Sequence, residues 1–317
     1  MIPALVLTAG LATRLRPLSL VRAKAALPVA GQPLAHRILR WLAAAGVTDA
    51  VLNLHHLPHT LTALIGDGSA LGVRVRYSWE LPVLGSAGGP RRALPLLGAP
   101  TFLVVNGDTL TNVDLQGLVG AHEGSGALAT IAVVPHPEPG KYGGVLVDDH
   151  GAVRGFAARG SPEASYHFVG VQVADAGAFA AVPDGVPTES FAKVYPELMA
   201  ARPGSIRAYV TAADFADIGT PADYLRTSLA LAAREGGTRQ LIGARARLDA
   251  SARVEASVLW DDVEMGAGAR VRECVVTDGA QVPADTSWTG VTLRRADDEL
   301  APNERRIGNL AVAALDG

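Results

Sequence analysis

Apolar residues along the chain fall into short runs separated by stretches with helical periodicity. Ala4 to Thr8 reads as a short, fully buried strand that ends in the small residues Ala9 and Gly10. From Leu34 to Ala45 the apolar positions take helical spacing, and Gly46 stops them as a C-terminal cap would. Val51–Leu54 is the next strand, Val73–Tyr77 alternates in the manner of another, and Phe102–Val105 is a further buried run followed by the turn Asn106-Gly107-Asp108. Thr130–Val134 and Gly143–Val147 continue the series. Buried strands alternating with amphipathic helices predict an α/β, Rossmann-like domain with a mostly parallel sheet. Ligands of such sheets sit beyond the carboxyl ends of the strands, where Gly10 and Asp108 fall.

The pattern changes after about Glu235. Arg253–Asp261 reappears as Arg270–Asp278, and three apolar columns repeat: Ile242, Leu259 and Val276; Leu248, Met265 and Val282; Val254, Val271 and Trp288. That repetition predicts a three-sided parallel β-helix with one short side per coil. The expected organisation is a catalytic domain at 1–235, a short left-handed β-helix of hexapeptide-like repeats at 236–295, and a C-terminal tail at 296–317.

Composition narrows the classes. The 317 residues are 49% hydrophobic and 19% charged with a net charge of −3, which describes a well-packed globular protein. No segment concentrates Lys and Arg, so nucleic acid is not an expected partner, and an anionic ligand must be met by a local group of cations. The lone Cys274 excludes a disulfide framework. The N-terminus lacks the layout of a signal peptide, and no apolar run reaches the ~18 residues of a membrane span; the expected location is cytoplasmic. His55 and His56 follow a strand and read as surface or hydrogen-bonded histidines rather than metal ligands.

Chemistry concentrates in Leu7-Thr-Ala-Gly-Leu-Ala-Thr-Arg-Leu-Arg-Pro-Leu-Ser19 and Lys24-Ala-Ala-Leu-Pro-Val29. A small-residue turn after the first strand lets backbone N–H groups approach phosphate oxygens, and Arg14 and Lys24 add fixed positive charge. The glycine spacing fits neither a dinucleotide fingerprint nor a Walker A loop. The stretch resembles the signature of the sugar-1-phosphate nucleotidylyltransferases, and the similarity extends over roughly residues 3–230. Leu84-Gly-Ser-Ala-Gly88 resembles that family's base-contacting loop, Asn106-Gly-Asp108 its metal turn, Lys141-Tyr-Gly-Gly144 its sugar-contacting segment, and Asp217-Ile-Gly-Thr-Pro221 its second metal carboxylate. Three positions depart from the family. Ala12 replaces a loop glycine and is therefore expected to avoid positive φ. Ala23 replaces a proline, and Ala158-Arg159 replaces the Glu-Lys pair that holds the sugar phosphate.

The resemblance implies condensation of a nucleoside triphosphate with a sugar 1-phosphate, releasing pyrophosphate. It implies Mg²⁺ on Asp108 and Asp217, and Arg14 and Lys24 against the phosphates. It also implies substrate contacts from Ala9, Gly10, Thr13, Gly85, Gly88, Asn106, Gly144, Arg159 and Gly170. The β-helix suggests GTP with mannose 1-phosphate or a relative. UTP with an amino-sugar or hexose 1-phosphate, as in N-acetylmuramate-1-phosphate uridylyltransferases, is the alternative. A non-catalytic nucleotide-sugar-binding regulator is less favoured, since such a copy has no reason to keep both carboxylates. An acyltransferase role for the β-helix is opposed by the absence of any histidine after His167. The β-helix reads instead as a structural or oligomerising appendage, with a homo-oligomer expected.

Overall fold

The computed structural model describes residues 1–237, 241–296 and 300–315. The chain divides into two compact units, one of Met1–Gly10 with Ala35–Ala216, the other of Leu11–Leu34 with Asp217 onward.

The first unit is built on a nine-stranded sheet. One half is a parallel block of β1 (Ala4–Leu7), β2 (Asp49–Leu54), β3 (Arg74–Trp79) and β4 (Thr101–Asn106), in the order β4-β1-β2-β3. Helices α1 (Leu34–Ala44), α2 (Pro58–Ile65) and α3 (Gly85–Leu97) lie in sequence between these strands. β1, β2 and β4 are apolar and buried almost end to end, as strands covered on both faces must be. β3 lies at the end of the sheet, and its exposed residues include Arg74, which pairs with Asp49.

The other half turns antiparallel. After α4 (Leu115–His122) come β5 (Ala129–Pro135), β6 (Gly144–Val147), β7 (Val153–Ala157) and the long β8 (Tyr166–Asp175). β8 runs antiparallel to both β4 and β5, β7 pairs antiparallel with β6, and β9 (Ile206–Val210), beyond helix α5 (Tyr195–Ala201), returns parallel to β5. The sheet is thus more mixed than the buried runs alone predict, because a run buried on both faces does not reveal its direction. Phe102, Val104, Ile131, Val133, Phe179 and Tyr195 anchor the core under it.

In the second unit the predicted columns become hydrogen-bonded ladders: Leu248–Met265–Val282, Val254–Val271–Trp288, and Leu259–Val276 with an Ile242–Leu259 bridge above it. The repeat of seventeen residues therefore folds as a three-sided parallel β-helix. Met265, Val271, Val276 and Val282 fill its interior. Val291–Arg295 adds a further parallel rung beside Val275 and Val276, then pairs antiparallel with Leu310–Ala314. Within the described part of the tail, Arg305–Ile307 and Leu310–Ala314 form a hairpin against the last coil, and Glu304 is held in a buried ion pair with Arg294 at 2.7 Å. Helix α6 (Pro221–Arg234) precedes the coils; Thr220 accepts from the Asp223 N–H at 3.1 Å and Pro221 opens the first turn, as that dipeptide predicts.

Candidate active site

In the first unit the carboxyl ends of β1 and β4 lie side by side, because Leu7 is in register with Asn106. The turn after β4 closes on the end of β1: the Gly107 N–H donates to the Leu7 carbonyl at 2.9 Å, and a Cβ at Gly107 would lie 2.6 Å from that oxygen. Thr8-Ala9-Gly10 therefore runs beside Asn106-Gly107-Asp108. Gly10 is exposed, and a Cβ there would meet nothing within 4 Å, so the chain leaves open room at this turn. Asp108 is half-buried, with Thr109 Oγ1 donating to its Oδ1 at 3.3 Å. Gly170, on β8, has φ +79° and faces Thr109 and Asn106; a Cβ would sit 2.9 Å from Thr109 Oγ1. A side chain there would push into the segment Asn106–Thr109, and only glycine tolerates that backbone without strain.

Two buried residues that the motifs do not include hold this corner together. Asn53 Oδ1 accepts from the Thr8 N–H at 2.6 Å and the Ala9 N–H at 3.3 Å, while its Nδ2 donates to Glu80 Oε1 at 2.7 Å. Glu80 Oε2 in turn accepts from the Leu84 N–H at 2.8 Å. Asn53 and Glu80 are only 3% and 4% exposed, so this chain fixes the end of β1 to the start of α3 inside the protein, out of competition with water. Their sequence signal was faint: one polar residue at the end of an apolar strand, and one acid five positions before Gly85. His55 belongs to the same region, its Nδ1 hydrogen-bonded to the Glu80 carbonyl at 2.9 Å.

The Leu84–Gly88 loop forms the first turn of α3. Gly85 has φ +76°, and a Cβ would lie 2.8 Å from the Thr188 carbonyl oxygen. A Cβ at Gly88 would lie 2.7 Å from the Val186 carbonyl, so both glycines serve close approach of residues 186–189. Ser86 Oγ donates to Glu189 Oε2 at 2.6 Å. Gly144 similarly leaves no room for a side chain, because Ser165 fills that space. Beside it Tyr142, His136, His167 and Phe215 form a ring cluster, with Tyr142 and His167 centroids 4.5 Å apart. Burial, and then the nearby His136, lower the His167 imidazole to about 4, against the opposing pull of the Gly143 carbonyl. Arg159 is exposed on the turn after β7.

In the second unit, Thr13 and Arg14 lie on the short helical turn Thr13–Leu15 and Lys24 on Lys24–Ala26, with a third turn, Leu18–Leu20, between them. Thr13 and Arg14 are exposed and Lys24 is half-buried. Ala12 adopts φ 48° and ψ 46°, which corrects the expectation that alanine here avoids positive φ. Its carbonyl accepts from the Leu15 N–H at 3.0 Å and the Ser19 hydroxyl at 2.9 Å. Those bonds hold the turn against a left-handed penalty of ~1–2 kcal/mol. Arg14 and Asp217 converge at Gly219: a Cβ there would sit 3.3 Å from Asp217 Oδ2, 3.5 Å from Arg14 Nη1 and 3.2 Å from Asp223 Oδ2. Asp223, buried in the first turn of α6 and ion-paired to Arg226, is a third carboxylate absent from the motif reading.

Residues 3–234 match the nucleotidyl transferase family model, and residues 235–299 match the GlmU-like C-terminal hexapeptide model. The chain is 32% identical to mannose-1-phosphate guanylyltransferase of Mycobacterium tuberculosis over 89% of its own length and 82% of the relative's. It is 48% identical to N-acetylmuramate alpha-1-phosphate uridylyltransferase of Neisseria meningitidis over 35% of this chain and 48% of that one. The crystal structure of HddC from Yersinia pseudotuberculosis shares the fold at a TM-score of 0.65 and 23% identity, covering 73% of this chain and all of that one. With residues 3–234 matched by the family's model, the chain belongs to the nucleotidyl transferase family.

Proposed function

We propose that this protein condenses GTP with mannose 1-phosphate, or a close relative, to give a nucleotide sugar and pyrophosphate. The observation that carries the proposal is the extent of the mycobacterial guanylyltransferase alignment, which spans 89% of the chain and so includes coils as well as sheet. The second reading is a UTP-dependent enzyme. It draws on the higher identity, 48% over 113 residues, to the neisserial uridylyltransferase.

A sugar phosphate oxygen is already anionic near neutral pH, so the reaction requires neither a general base nor a covalent nucleophile. Its barrier is repulsion between two polyanions and charge accumulating at the α-phosphorus. Catalysis is then positioning plus electrostatic stabilisation. Lys24 is assigned to the triphosphate, Arg14 to the departing pyrophosphate and Arg159 to the sugar phosphate, where a guanidinium grips bidentately. Ala9, Gly10 and Thr13 are assigned to the phosphates, Gly85 and Gly88 to the base, and Asn106, Gly144 and Gly170 to the sugar side.

Asp108 and Asp217 are the carboxylates proposed to hold Mg²⁺. Among the described residues no group of three His, Cys, Asp or Glu forms a closed metal cage. Mg²⁺ takes one or two carboxylates and completes its shell with water and substrate phosphates, so hard oxygen donors such as these two aspartates suit it. When bound, the ion neutralises phosphate charge. The proposal places the enzyme in the cytoplasm as a homo-oligomer; among the described residues no helix is long and apolar enough to cross a membrane.

The test is kcat/KM for GTP and UTP, each paired with its best sugar 1-phosphate from a panel, read by pyrophosphate release. GTP should lead by at least tenfold. A site built around a purine's exocyclic groups leaves its own donors and acceptors unpaired when the base lacks them. A tenfold preference for UTP would replace the guanylyl assignment with the second reading.

A further inference from the structure

The second unit joins the signature segment to the β-helix through side chains that no motif of the family reading uses. Arg22, two residues before Lys24, donates from Nε to Asp278 Oδ2 at 2.7 Å and from Nη2 to Asp278 Oδ1 at 2.6 Å. Nη2 also donates to Asp261 Oδ2 at 2.7 Å. Its guanidinium carbon lies 5.4 Å from the centre of the Trp260 ring. The two aspartates are one coil apart and linked to each other, with the Asp261 N–H donating to Asp278 Oδ1 at 3.1 Å. Trp260, fully buried, donates from Nε1 to the Tyr224 hydroxyl at 2.8 Å, and that hydroxyl donates to the Pro28 carbonyl at 2.5 Å. Lys24 is therefore bracketed by two ties that end on the same coils, one at Arg22 and one at Pro28.

This arrangement is costly to build unless it is used. Arg22 has only 13% of its side chain exposed, and a desolvated cation beside two carboxylates is retained only where its partners are well placed. Burial opposes the Arg22 charge, but the hydrogen bonds and charges of Asp278 and then Asp261 outweigh it and leave its pKa raised. Burial also pushes the Tyr224 phenol up, so it remains a neutral donor to Pro28.

We infer that the β-helix coils act as a positioning element for the nucleotide-handling segment, with Asp261, Asp278 and Trp260 as positioning residues that hold residues 22–28, and hence Lys24, in working geometry. The inference rests on the proposed function for its kinetic consequence and on the contacts alone for its structural one.

Asp278→Asn keeps the shape and removes the charge, while Trp260→Phe keeps an aromatic ring in most of the same space and deletes the Nε1 donor along with part of the indole. Hydrogen exchange by mass spectrometry reads the structural consequence without any substrate. Both variants should speed exchange in peptides covering residues 20–30 by at least tenfold, with peptides of β1, β2 and β4 unchanged. Pyrophosphate release reads the kinetic one: kcat/KM for the triphosphate should fall at least tenfold, with KM for the sugar phosphate moving less than twofold. Arg22→Lys, which keeps charge but loses the fork, should fall between parent and Asp278→Asn. Unchanged exchange at 20–30 in both variants would overturn the inference. So would faster exchange accompanied by unaltered kinetics, since the ties would then serve stability alone. If the parent turns over no substrate pair while exchange responds as stated, the proposed function fails and the structural coupling stands.

Discussion

At the scale of single residues, the two aspartates carry the sharpest expectation. Asp108 and Asp217 are both half-buried, Asp108 in the turn after β4 and Asp217 at the end of the short strand Phe215–Asp217, so an isosteric amide should leave each segment folded while removing the charge proposed to hold the metal. Asp108→Asn and Asp217→Asn should each reduce turnover at least a hundredfold at saturating Mg²⁺, about 3 kcal/mol of barrier, with unchanged circular dichroism. Activity within threefold of the parent would remove that residue from the metal assignment. Single-residue chemistry was also where the sequence was most and least readable. Gly10 and Asp108 stand out because they fall at the ends of predicted strands, while the remaining motif positions are legible through the resemblance to the nucleotidylyltransferase signature. Asn53 and Glu80 are legible in neither way, because a buried hydrogen-bond partner carries no fixed spacing to the group it serves. Ala12 shows the converse: alanine ordinarily avoids positive φ, and the bonds to Leu15 and Ser19 override that preference here.

Among the elements, α3 depends on its first residue. Gly85→Ala would place a methyl group 2.8 Å from the Thr188 carbonyl oxygen on a backbone with φ +76°. Strain of ~1–2 kcal/mol is expected from the left-handed conformation alone, before the clash. Chemical denaturation should show a loss of about 2 kcal/mol or more, together with a raised KM for the nucleoside triphosphate. A variant as stable as the parent would show that residues 186–189 withdraw freely and that the close approach is not required. The coils were the most legible elements, since a period of seventeen fixes which residues stack before any partner is known. Strand direction in the sheet was legible only where helices intervene. β8 is buried for most of its length and pairs antiparallel with β4 and β5, and nothing in its own composition records that. The tail was illegible for a related reason: its strand Leu310–Ala314 is defined by pairing with the last coil, not by a repeat of its own.

For the whole molecule, His167 couples stability to pH. Its imidazole titrates at about 4 in the folded protein against an ordinary value of 6.5, so the unfolded chain binds the proton more readily between those limits. Stability contributed by the neutral ring is complete above pH 6.5 and is lost as pH falls toward 4. Urea midpoints should drop between pH 7 and pH 4.5 in the parent and drop less in His167→Gln; parallel curves would show that the ring titrates freely. A feature of chain order has a separate consequence. Arg22 and Asp278 lie 256 residues apart. On a ribosome adding roughly 5–20 residues per second, that separation corresponds to on the order of 10–50 s of synthesis. The first unit is fully encoded by Ala216, so a nascent chain holds everything that unit requires well before Asp278 emerges. A premature stop within the coils would thus leave a chain that encodes the whole first unit but whose Arg22 has no Asp278 to meet, so the two ends of the sequence are joined last.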